Sequence, residues 1–565
     1  MFEHHTIHQS PEFDRIRALP KRAWTAEQGE ACAKYYTARL RTPTGTMTLR
    51  PIQAIALHEL SLVGGLLAAI RVGGGKTLIS LLAAAVLPVE HPLLLLPAAL
   101  LEKTKRDLRI LELHWRIPIG IVMQSYDTLG RDNAAHFLDL VQPDIIISDE
   151  SHRLKNHRAG VTRRVVRYMQ AHPETRFVAM SGTLLKNDIR DLEHLSRWCL
   201  KDGTPMPRES GEVGQWAEVL GRPVNPLVRT HPGPLVTFAT EPEDRDIDPT
   251  VMARKGFRRR LLSTPGVVAS GDDRIACSLL VKQLEYKVNE VTEQNFATLR
   301  GAWETPDGWA LSQATDVWRH ARELALGFHS IWDPRPPSEW LNARRAWASY
   351  VREVLGDSRT LDTEYQVGKA CEADALPRAE YDAWKRIEPT FQVQPRPIWH
   401  DDGALVACER WMKKTGAGIV WTEHVFFARE LARRTGASYF GEEGLDDKGI
   451  DIESVAGTKT VIASIRANGT GRNLQAWSRN LVTSCPVSAS TIEQMIGRTH
   501  RDGQQADVVE VDILLGCREH YDALVRAIEA AKATEQTLGH EQKILIADVV
   551  WDEVKSDAPR WASSS

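Results

Sequence analysis

A glycine-rich turn between an apolar run and a Lys-Thr pair is the feature that most restricts how this chain can fold. The apolar run covers residues 66–70. The turn and the pair that ends it are Gly73, Gly74, Gly75, Lys76 and Thr77. Backbone N–H groups of such a turn can surround a triphosphate, while the lysine and the threonine hydroxyl serve the phosphates and Mg²⁺. The sequence therefore predicts a strand, an ATP-binding loop and a helix in that order, with Thr77 as a metal ligand.

An acidic pair supplies the second half of the predicted ATP site. Asp149 and Glu150 follow the apolar run 145–147, which has the length of a buried strand. Carboxylates at that position can hold Mg²⁺ and polarise an attacking water, although the pair alone is equally compatible with a solvated acidic turn. The 73 residues from Lys76 to Asp149 (149 minus 76) leave room for an intervening strand and its helices. We therefore expect Lys76, Asp149 and Glu150 to be catalytic and Asp149 to be a metal ligand.

A third polar group follows the apolar run 177–180. It consists of Ser181, Gly182 and Thr183. The small hydroxyl side chains could link the metal site to a neighbouring domain, and an ordinary turn is the alternative interpretation.

Short apolar runs alternate with longer amphipathic stretches, which predicts an α/β fold of parallel sheets covered by helices. A chain of 565 residues is too long for one core. Two series of strand-length runs are present, and each series has the size of one nucleotide-binding domain. The predicted strands of the first series are 93–96, 145–148 and 177–180, and those of the second are 419–422, 461–464, 481–483 and 508–513.

Between the two series the chain changes character. Residues 203–250 are rich in Pro and Gly and are expected to form a loop, whereas residues 277–352 are expected to be helical and carry six tryptophans (303, 309, 318, 332, 340 and 347). Tryptophans at helical spacing pack in cores more often than they stack on bases. Residues 518–537 have the pattern of one amphipathic helix. We expect an accessory segment at 1–44, a first α/β domain at 45–202, a loop-rich and helical insertion at 203–400, a second α/β domain at 401–516 and a helical tail at 517–565.

The second α/β domain carries its own polar motifs. Gly469 and Gly471 lie in a glycine-containing block after the predicted strand 461–464. Arg498 and Arg501 are three residues apart, so on a helix they would share one face. Arginine suits the stabilisation of a transferring phosphoryl group, because its planar fork stays charged and can engage two oxygens. A solvated basic turn is the alternative, but this domain has no lysine loop of its own, which favours two catalytic arginines.

In chain order, these motifs resemble those of superfamily 2 helicases. The Leu-Arg-Pro-x-Gln opening at 49–53, the Lys-Asn pair at 155–156 and the sequence Arg-Thr-His-Arg-Asp-Gly-Gln at 498–504 are similar to the Swi/Snf-type branch. The block around Gln494 also looks like those of phage-encoded members, which would place the chain in a bacterial host cell. The resemblance covers residues 45–200 and 415–515.

The resemblance implies two RecA-like domains with ATP and Mg²⁺ between them. Gln53 would contact the adenine, and Gly469 and Gly471 would belong to the nucleotide-facing loop of the second domain. Arg498 and Arg501 would reach the phosphates from that domain. The activity implied is a DNA-stimulated ATP hydrolase that translocates on duplex DNA. The Trp-Asn-Pro sequence common before the last motif is absent, so a strand-separating DNA or RNA helicase stays open, as does an ATP-gated clamp with little turnover.

The resemblance implies nucleic-acid contacts at loops that follow the strands, where backbone amides and hydroxyls hold phosphates without reading bases. Taken alone, each of these loops is equally compatible with an ordinary connection. The candidates are 97–104, Ser125, Tyr126, Arg153, Thr422 and 468–470. The formal net charge is −3, so any DNA contact must come from a local basic surface. The densest basic run is 254–260, for which a solvated patch and a DNA-backbone contact are both compatible with the sequence.

Composition narrows the class further. Seven cysteines lie far apart without a C-x-x-C pair, which argues against a zinc module and for reduced thiols. No secretory signal and no apolar segment of membrane-spanning length is visible. We therefore expect a soluble cytoplasmic protein. DNA is the partner that the helicase resemblance implies, and the sequence identifies no protein partner.

Overall fold

The computed structural model describes residues 4–70, 74–157, 159–182, 189–221, 229–270, 277–358, 360–455, 457–469, 471–501, 503–538 and 542–550. The strands are β1 His4–Thr6, β2 Leu66–Ala69, β3 Pro92–Leu96, β4 Val122–Ser125, β5 Ile145–Asp149, β6 Arg176–Ser181, β7 Arg229–His231, β8 Val267–Ala269, β9 Ser278–Leu284, β10 Phe328–Trp332, β11 Pro395–Trp399, β12 Ile419–Thr422, β13 Tyr439–Phe440, β14 Val461–Ser464, β15 Arg479–Val482, β16 Val508–Leu514 and β17 Asp548–Val550.

Helices surround these strands. They are α1 Pro11–Ala18, α2 Ala26–Leu40, α3 Pro51–Val63, α4 Lys76–Leu82, α5 Ala98–Leu111, α6 Tyr126–Leu129, α7 Phe137–Val141, α8 Gly160–Ala171, α9 Glu193–Leu200, α10 Ser210–Leu220, α11 Pro249–Leu262, α12 Glu290–Ala302, α13 Ala314–Ala325, α14 Ser338–Asp357, α15 Glu364–Glu372, α16 Ala379–Ile387, α17 Gly403–Thr415, α18 Val425–Thr435, α19 Ile465–Asn468, α20 Ala489–Ile496, α21 Arg518–Leu538 and α22 Lys543–Ile546.

The first sheet has six parallel strands in the order β4-β3-β5-β6-β2-β8. Its central strands are apolar and buried, as expected for a parallel sheet covered by helices on both faces. Ala69, the last residue of β2, is in register with Ser181 at the end of β6, and Asp149 at the end of β5 is in register with Met180. The carboxyl ends of β2, β6 and β5 therefore lie side by side.

The second sheet has seven parallel strands in the order β13-β14-β12-β15-β16-β9-β17. The predicted strands 419–422 and 461–464 coincide with β12 and β14. Two parallel sheets with flanking helices confirm the predicted fold class, α/β with two RecA-like parallel-sheet domains.

The compact units differ from the predicted segment boundaries. The first unit contains Met1–Asp273, Pro337–Phe391 and Lys532–His540, and the second contains Arg274–Pro336, Gln392–Ala531 and Glu541–Ser565. The segment predicted at 203–400 is thus divided between the units. The predicted loop at 203–250 contains helix α10, and the predicted helical stretch at 277–352 contains strands β9 and β10. Strand β9 joins the second sheet because all seven of its residues pair with β16, far away in sequence.

Helices α14 to α16 belong to the first unit and enclose a small aromatic core. The Trp340 ring lies 5.2 Å from that of Trp384, and the Trp347 ring lies 5.4 Å from that of Tyr381. These four rings are buried. Of the six tryptophans expected to pack in a core, Trp340 and Trp347 do so, whereas Trp303 is 40% exposed and the other three are half-buried. The predicted tail helix is present as α21. Within the described part of the chain, no helix is both long and apolar enough to cross a membrane.

Candidate active site

The glycine-rich turn lies between β2 and α4, at the carboxyl end of the first sheet. Gly73 lies outside the described residues. Gly75 precedes the helix with φ +80°, and a Cβ atom there would lie 1.9 Å from Nε2 of Gln53. The Gln53 side chain accepts a hydrogen bond from the backbone N–H of Arg50 at 2.9 Å, and its amide nitrogen lies 3.5 Å from the Gly74 carbonyl oxygen. The positive φ favours glycine at position 75, and the close approach shows that the Gln53 side chain lies against the turn.

The Lys76 side chain is buried at the first position of α4. Its ammonium donates a hydrogen bond to the Ile70 carbonyl at 3.1 Å and lies 3.7 Å from Oε1 of Glu150. A buried ammonium requires a nearby acceptor or counter-charge, because burial alone disfavours its charged form. The lysine is therefore held as a compact point charge at the sheet edge.

The acidic pair lies where β5 ends. Both carboxylates are buried, and Glu150 has a positive φ of 56°. Asp149 Oδ1 accepts a hydrogen bond from the backbone N–H of Glu150 at 3.0 Å. Burial, reinforced by the negative charge of Glu150 and opposed by Lys76, raises the pKa of Asp149 to about 6. A cation at this edge would relieve that penalty by favouring the ionised carboxylate.

The residues present fit a magnesium ion that is held mainly by phosphate and water. In the described ranges, no cluster of three or more His, Cys, Asp or Glu side chains could hold a metal. The protein offers the Asp149 carboxylate and, in the first turn of α4, the Thr77 hydroxyl. Mg²⁺ is usually bound by one or two protein oxygens together with waters and substrate phosphates. This donor set matches that pattern.

The third motif joins the site through its serine. The Ser181 hydroxyl lies 3.1 Å from Oε2 of Glu150 and 3.1 Å from Nδ1 of His152. The same His152 nitrogen lies 3.3 Å from Oε2 of Glu150. A continuous polar chain therefore runs from Lys76 through Glu150 to Ser181 and His152. Thr183 lies outside the described residues.

Tyr126 forms a hydrogen bond with the main chain of the acidic pair. Its hydroxyl donates to the Asp149 carbonyl at 2.6 Å and lies 2.8 Å from the Ser148 hydroxyl. The ring is buried, and the Ser125 hydroxyl caps helix α6. The side chains of both residues, predicted as nucleic-acid contacts, are therefore engaged inside the domain. No feature of the sequence indicates the contact between Tyr126 and Asp149.

In the second unit, the predicted glycine block and the two arginines come together. Gly471 has φ +77°, while Thr470 lies outside the described residues. The buried Arg498 guanidinium donates to the carbonyl oxygens of Gly469 at 3.1 Å, Gln494 at 2.9 Å and Arg472 at 3.2 Å. Arg498 therefore holds the glycine block in place through its main chain.

Arg501 has a different environment from Arg498. It is partly exposed, and its Nη1 lies 3.5 Å from the Arg472 carbonyl oxygen. The expectation that the arginines share a helix face was wrong, because α20 ends at Ile496 and both arginines follow in the turn beyond Gly497. The Arg501 side chain is thus less enclosed than that of Arg498.

Several predicted nucleic-acid contacts have partners inside the protein. The side chains of Thr422 and Asn468 are buried, whereas Arg153 is exposed. In the basic run, Arg254 donates to the Val219 carbonyl. Other partners of the run are Asp246 for Lys255, Asp244 for Arg259, and the carbonyls of Leu19 and Pro20 for Arg260. These contacts favour a structural role for the run over a DNA contact.

The sequence analysis predicted no role for Arg322. From α13, its guanidinium contacts the Ser484 hydroxyl at 2.6 Å and Glu423 Oε2 at 2.7 Å. It thereby joins the loops that follow β15 and β12. A lone arginine in an amphipathic helix gives no indication of such a contact.

The predicted site residues thus form two groups, one in each compact unit. Lys76, Gln53, Asp149 and Glu150 converge in the first, and Gly469, Gly471, Arg498 and Arg501 converge in the second. No protein-family model matches the chain, and a search of curated proteins returns no match.

Proposed function

We propose that this chain is an ATP-dependent DNA translocase that hydrolyses ATP between its two RecA-like domains and moves along duplex DNA. One observation carries the ATP hydrolase part of the proposal, and the duplex-DNA part rests on the sequence resemblance to the Swi/Snf-type branch. The buried Lys76 ammonium lies 3.7 Å from Glu150, beside Asp149, at the carboxyl edge of a parallel sheet. This is where α/β proteins bind nucleotides, and a lysine with two carboxylates is the set that phosphoryl transfer to water requires.

The residues of the first unit have distinct roles in this proposal. Backbone N–H groups of Gly74 and Gly75 and the Lys76 ammonium bind the phosphates, and Gln53 contacts the base. Thr77 and Asp149 hold Mg²⁺, which when bound neutralises charge on the phosphates. Glu150 orients the attacking water, and its contacts with Lys76 and Ser181 fix the carboxylate in position.

The second unit contributes charge. Arg501 stabilises the negative charge that develops on the transferring phosphoryl group, as an arginine finger does. Arg498 keeps the block containing Gly469 and Gly471 in the conformation that Arg501 needs, since it binds three main-chain carbonyls there. Coupling of ATP turnover to movement would follow if the ATP-bound and ATP-free states differ in their affinity for the DNA backbone.

An ATPase assay tests the proposal directly. Phosphate release is measured without nucleic acid and with duplex DNA, single-stranded DNA or RNA, each at two salt concentrations. We expect stimulation by duplex DNA that declines with salt, because backbone contacts release counterions. No Mg²⁺-dependent hydrolysis with any nucleic acid would overturn the enzyme assignment and leave the ATP-gated clamp.

A strand-displacement assay separates translocation from unwinding. A duplex translocase removes a triplex-forming third strand without parting the duplex. A helicase instead releases a single strand from a partial duplex of DNA or RNA. Release of the single strand with no triplex displacement would replace the duplex translocase with the helicase.

A further inference from the structure

We infer that Lys543, near the end of the described chain, is a positioning residue for Arg501. The inference rests on the proposed function, because it concerns the orientation of the proposed arginine finger. Lys543 begins the short helix α22, and its side chain is buried. Its Nζ lies 3.3 Å from Nδ1 of His500, the residue directly before Arg501.

The imidazole of His500 connects Lys543 to the second sheet. Its Nε2 lies 2.9 Å from the carbonyl oxygen of Cys277, directly before β9. A nitrogen facing a carbonyl must carry the proton, so Nδ1 has the free lone pair that accepts from the Lys543 ammonium. Burial, followed by the Lys543 charge, lowers the pKa of His500 to about 4, which keeps the ring neutral and this arrangement intact at neutral pH.

A second contact fixes the same segment to the helix that leads to the arginines. The backbone N–H of Lys543 donates to Oε2 of Glu493 on α20 at 2.6 Å. Ile544 is buried in the same apolar cluster as Ile492 and Ile496 of that helix. The segment 542–546 is therefore attached both to α20 and to the turn that follows it.

Arg501 lies in a stretch whose main chain is held on both sides. The Arg498 carbonyl accepts a hydrogen bond from the Leu474 N–H at 3.1 Å, and the Arg501 carbonyl accepts from the Gln504 N–H at 3.1 Å. Between these bonds, the His500 imidazole is the side chain that ties the turn to β9 and α22. The orientation of the partly exposed Arg501 guanidinium depends on the conformation of this turn. Loss of Lys543 would therefore disturb the orientation of Arg501 without weakening ATP binding.

The test compares Lys543→Met with Lys543→Arg and with Lys532→Met, a matched control at an exposed position of α21. We expect kcat for DNA-stimulated ATP hydrolysis to fall at least tenfold in Lys543→Met, while KM for ATP stays within threefold. Lys543→Arg, which keeps a charged donor, and Lys532→Met should retain most of kcat. In an Arg501→Ala background, Lys543→Met should have no further effect, since both changes would remove the same contribution.

Two outcomes would overturn the inference while leaving the proposed function intact. One is an unchanged kcat in Lys543→Met. The other is a double variant whose loss of kcat equals the product of the losses in Lys543→Met and Arg501→Ala. A purely structural role would lower Tm without this non-additivity. Should Lys543→Met fail to fold, Glu493→Ala, which removes the second contact, decides on the same criteria. An inactive wild-type chain would overturn the proposed function, and the inference with it.

Discussion

The Lys76 ammonium lies 3.7 Å from the Glu150 carboxylate, although the two residues follow different strands of the first sheet. Strand β6 lies between β2 and β5, and its last residue, Ser181, also contacts Glu150. Both side chains are buried, so removal of either one leaves the other without its nearest oppositely charged partner. This mutual dependence makes substitutions of the two residues informative in different ways.

Lys76→Met should abolish ATP binding. The variant keeps the aliphatic stem but removes the charge that the phosphates require, and it leaves Glu150 buried beside them without its counter-charge. Binding is measured by equilibrium titration with a fluorescent ATP analogue. The control is Lys105→Met, on the exposed face of α5. An affinity within threefold of the wild type would exclude Lys76 from the phosphate site.

Glu150→Gln should bind ATP but fail to hydrolyse it. The amide is nearly isosteric and can still accept from Ser181, yet it cannot activate water. Loss of a general base typically lowers turnover by about 10²–10⁴-fold. Single-turnover phosphate release measures the rate, and nucleotide titration measures the binding. Glu30→Gln, at an exposed position of α2, is the matched control. Turnover near the wild-type rate would assign water activation to another group.

The two arginines should respond differently to truncation. Arg501→Ala should keep ATP affinity within a few fold and lower turnover by orders of magnitude, because the contribution is made in the transition state. Arg498→Ala should mainly lower Tm, since it leaves carbonyl oxygens of the glycine block without their buried donor. Differential scanning calorimetry and steady-state kinetics distinguish the effects. Equal loss of Tm in both variants would contradict the division of roles.

The sheets were predictable where their strands are continuous apolar runs. The segments that became β5, β12 and β14 are buried on both faces, so their sequence shows an uninterrupted run of strand length. In strand β9 only Leu279 and Val281 are buried, and β10 is only partly buried. Their membership depends on partners that are distant in sequence, which local patterns do not reveal.

The candidate site was predictable as far as topology determines it. Loops at the carboxyl ends of neighbouring parallel strands must converge, so motif order sufficed to bring Lys76, Asp149 and Glu150 together. The hydrogen-bond partners of Tyr126 and Arg498 could not be predicted, because they are main-chain groups that only the folded domain brings within reach of these side chains. The end of α20 at Gly497 was missed because helical spacing was extended across a glycine that can end a helix.

Asp362→Ala should weaken the attachment of helices α14 to α16 to the rest of the first unit. The Asp362 carboxylate is buried between Arg164, 3.3 Å away, and Arg167. The Arg164 side chain is only 2% exposed, and removal of one partner of a buried pair typically costs about 3–5 kcal/mol. The urea midpoint and protease cleavage within 337–391 measure the effect. Asp382→Ala breaks an exposed pair with Arg378 and should change little. Equal midpoints for the two variants would contradict the prediction.

Acid should destabilise the second unit through His520. The imidazole is fully buried beside Ser484, and burial, followed by the charges of Arg322 and His424, lowers its pKa to about 3. An unfolded histidine titrates near 6.5, so below that pH the unfolded state binds a proton that the folded state excludes. The free energy of unfolding should therefore fall with pH, by up to about 1.4 kcal/mol per unit from this group, until the folded pKa is reached. His520→Gln should flatten the dependence of the urea midpoint between pH 7 and pH 5, whereas His136→Gln, at an exposed position, should leave it unchanged. An identical slope in wild type and His520→Gln would show that His520 does not contribute to acid sensitivity.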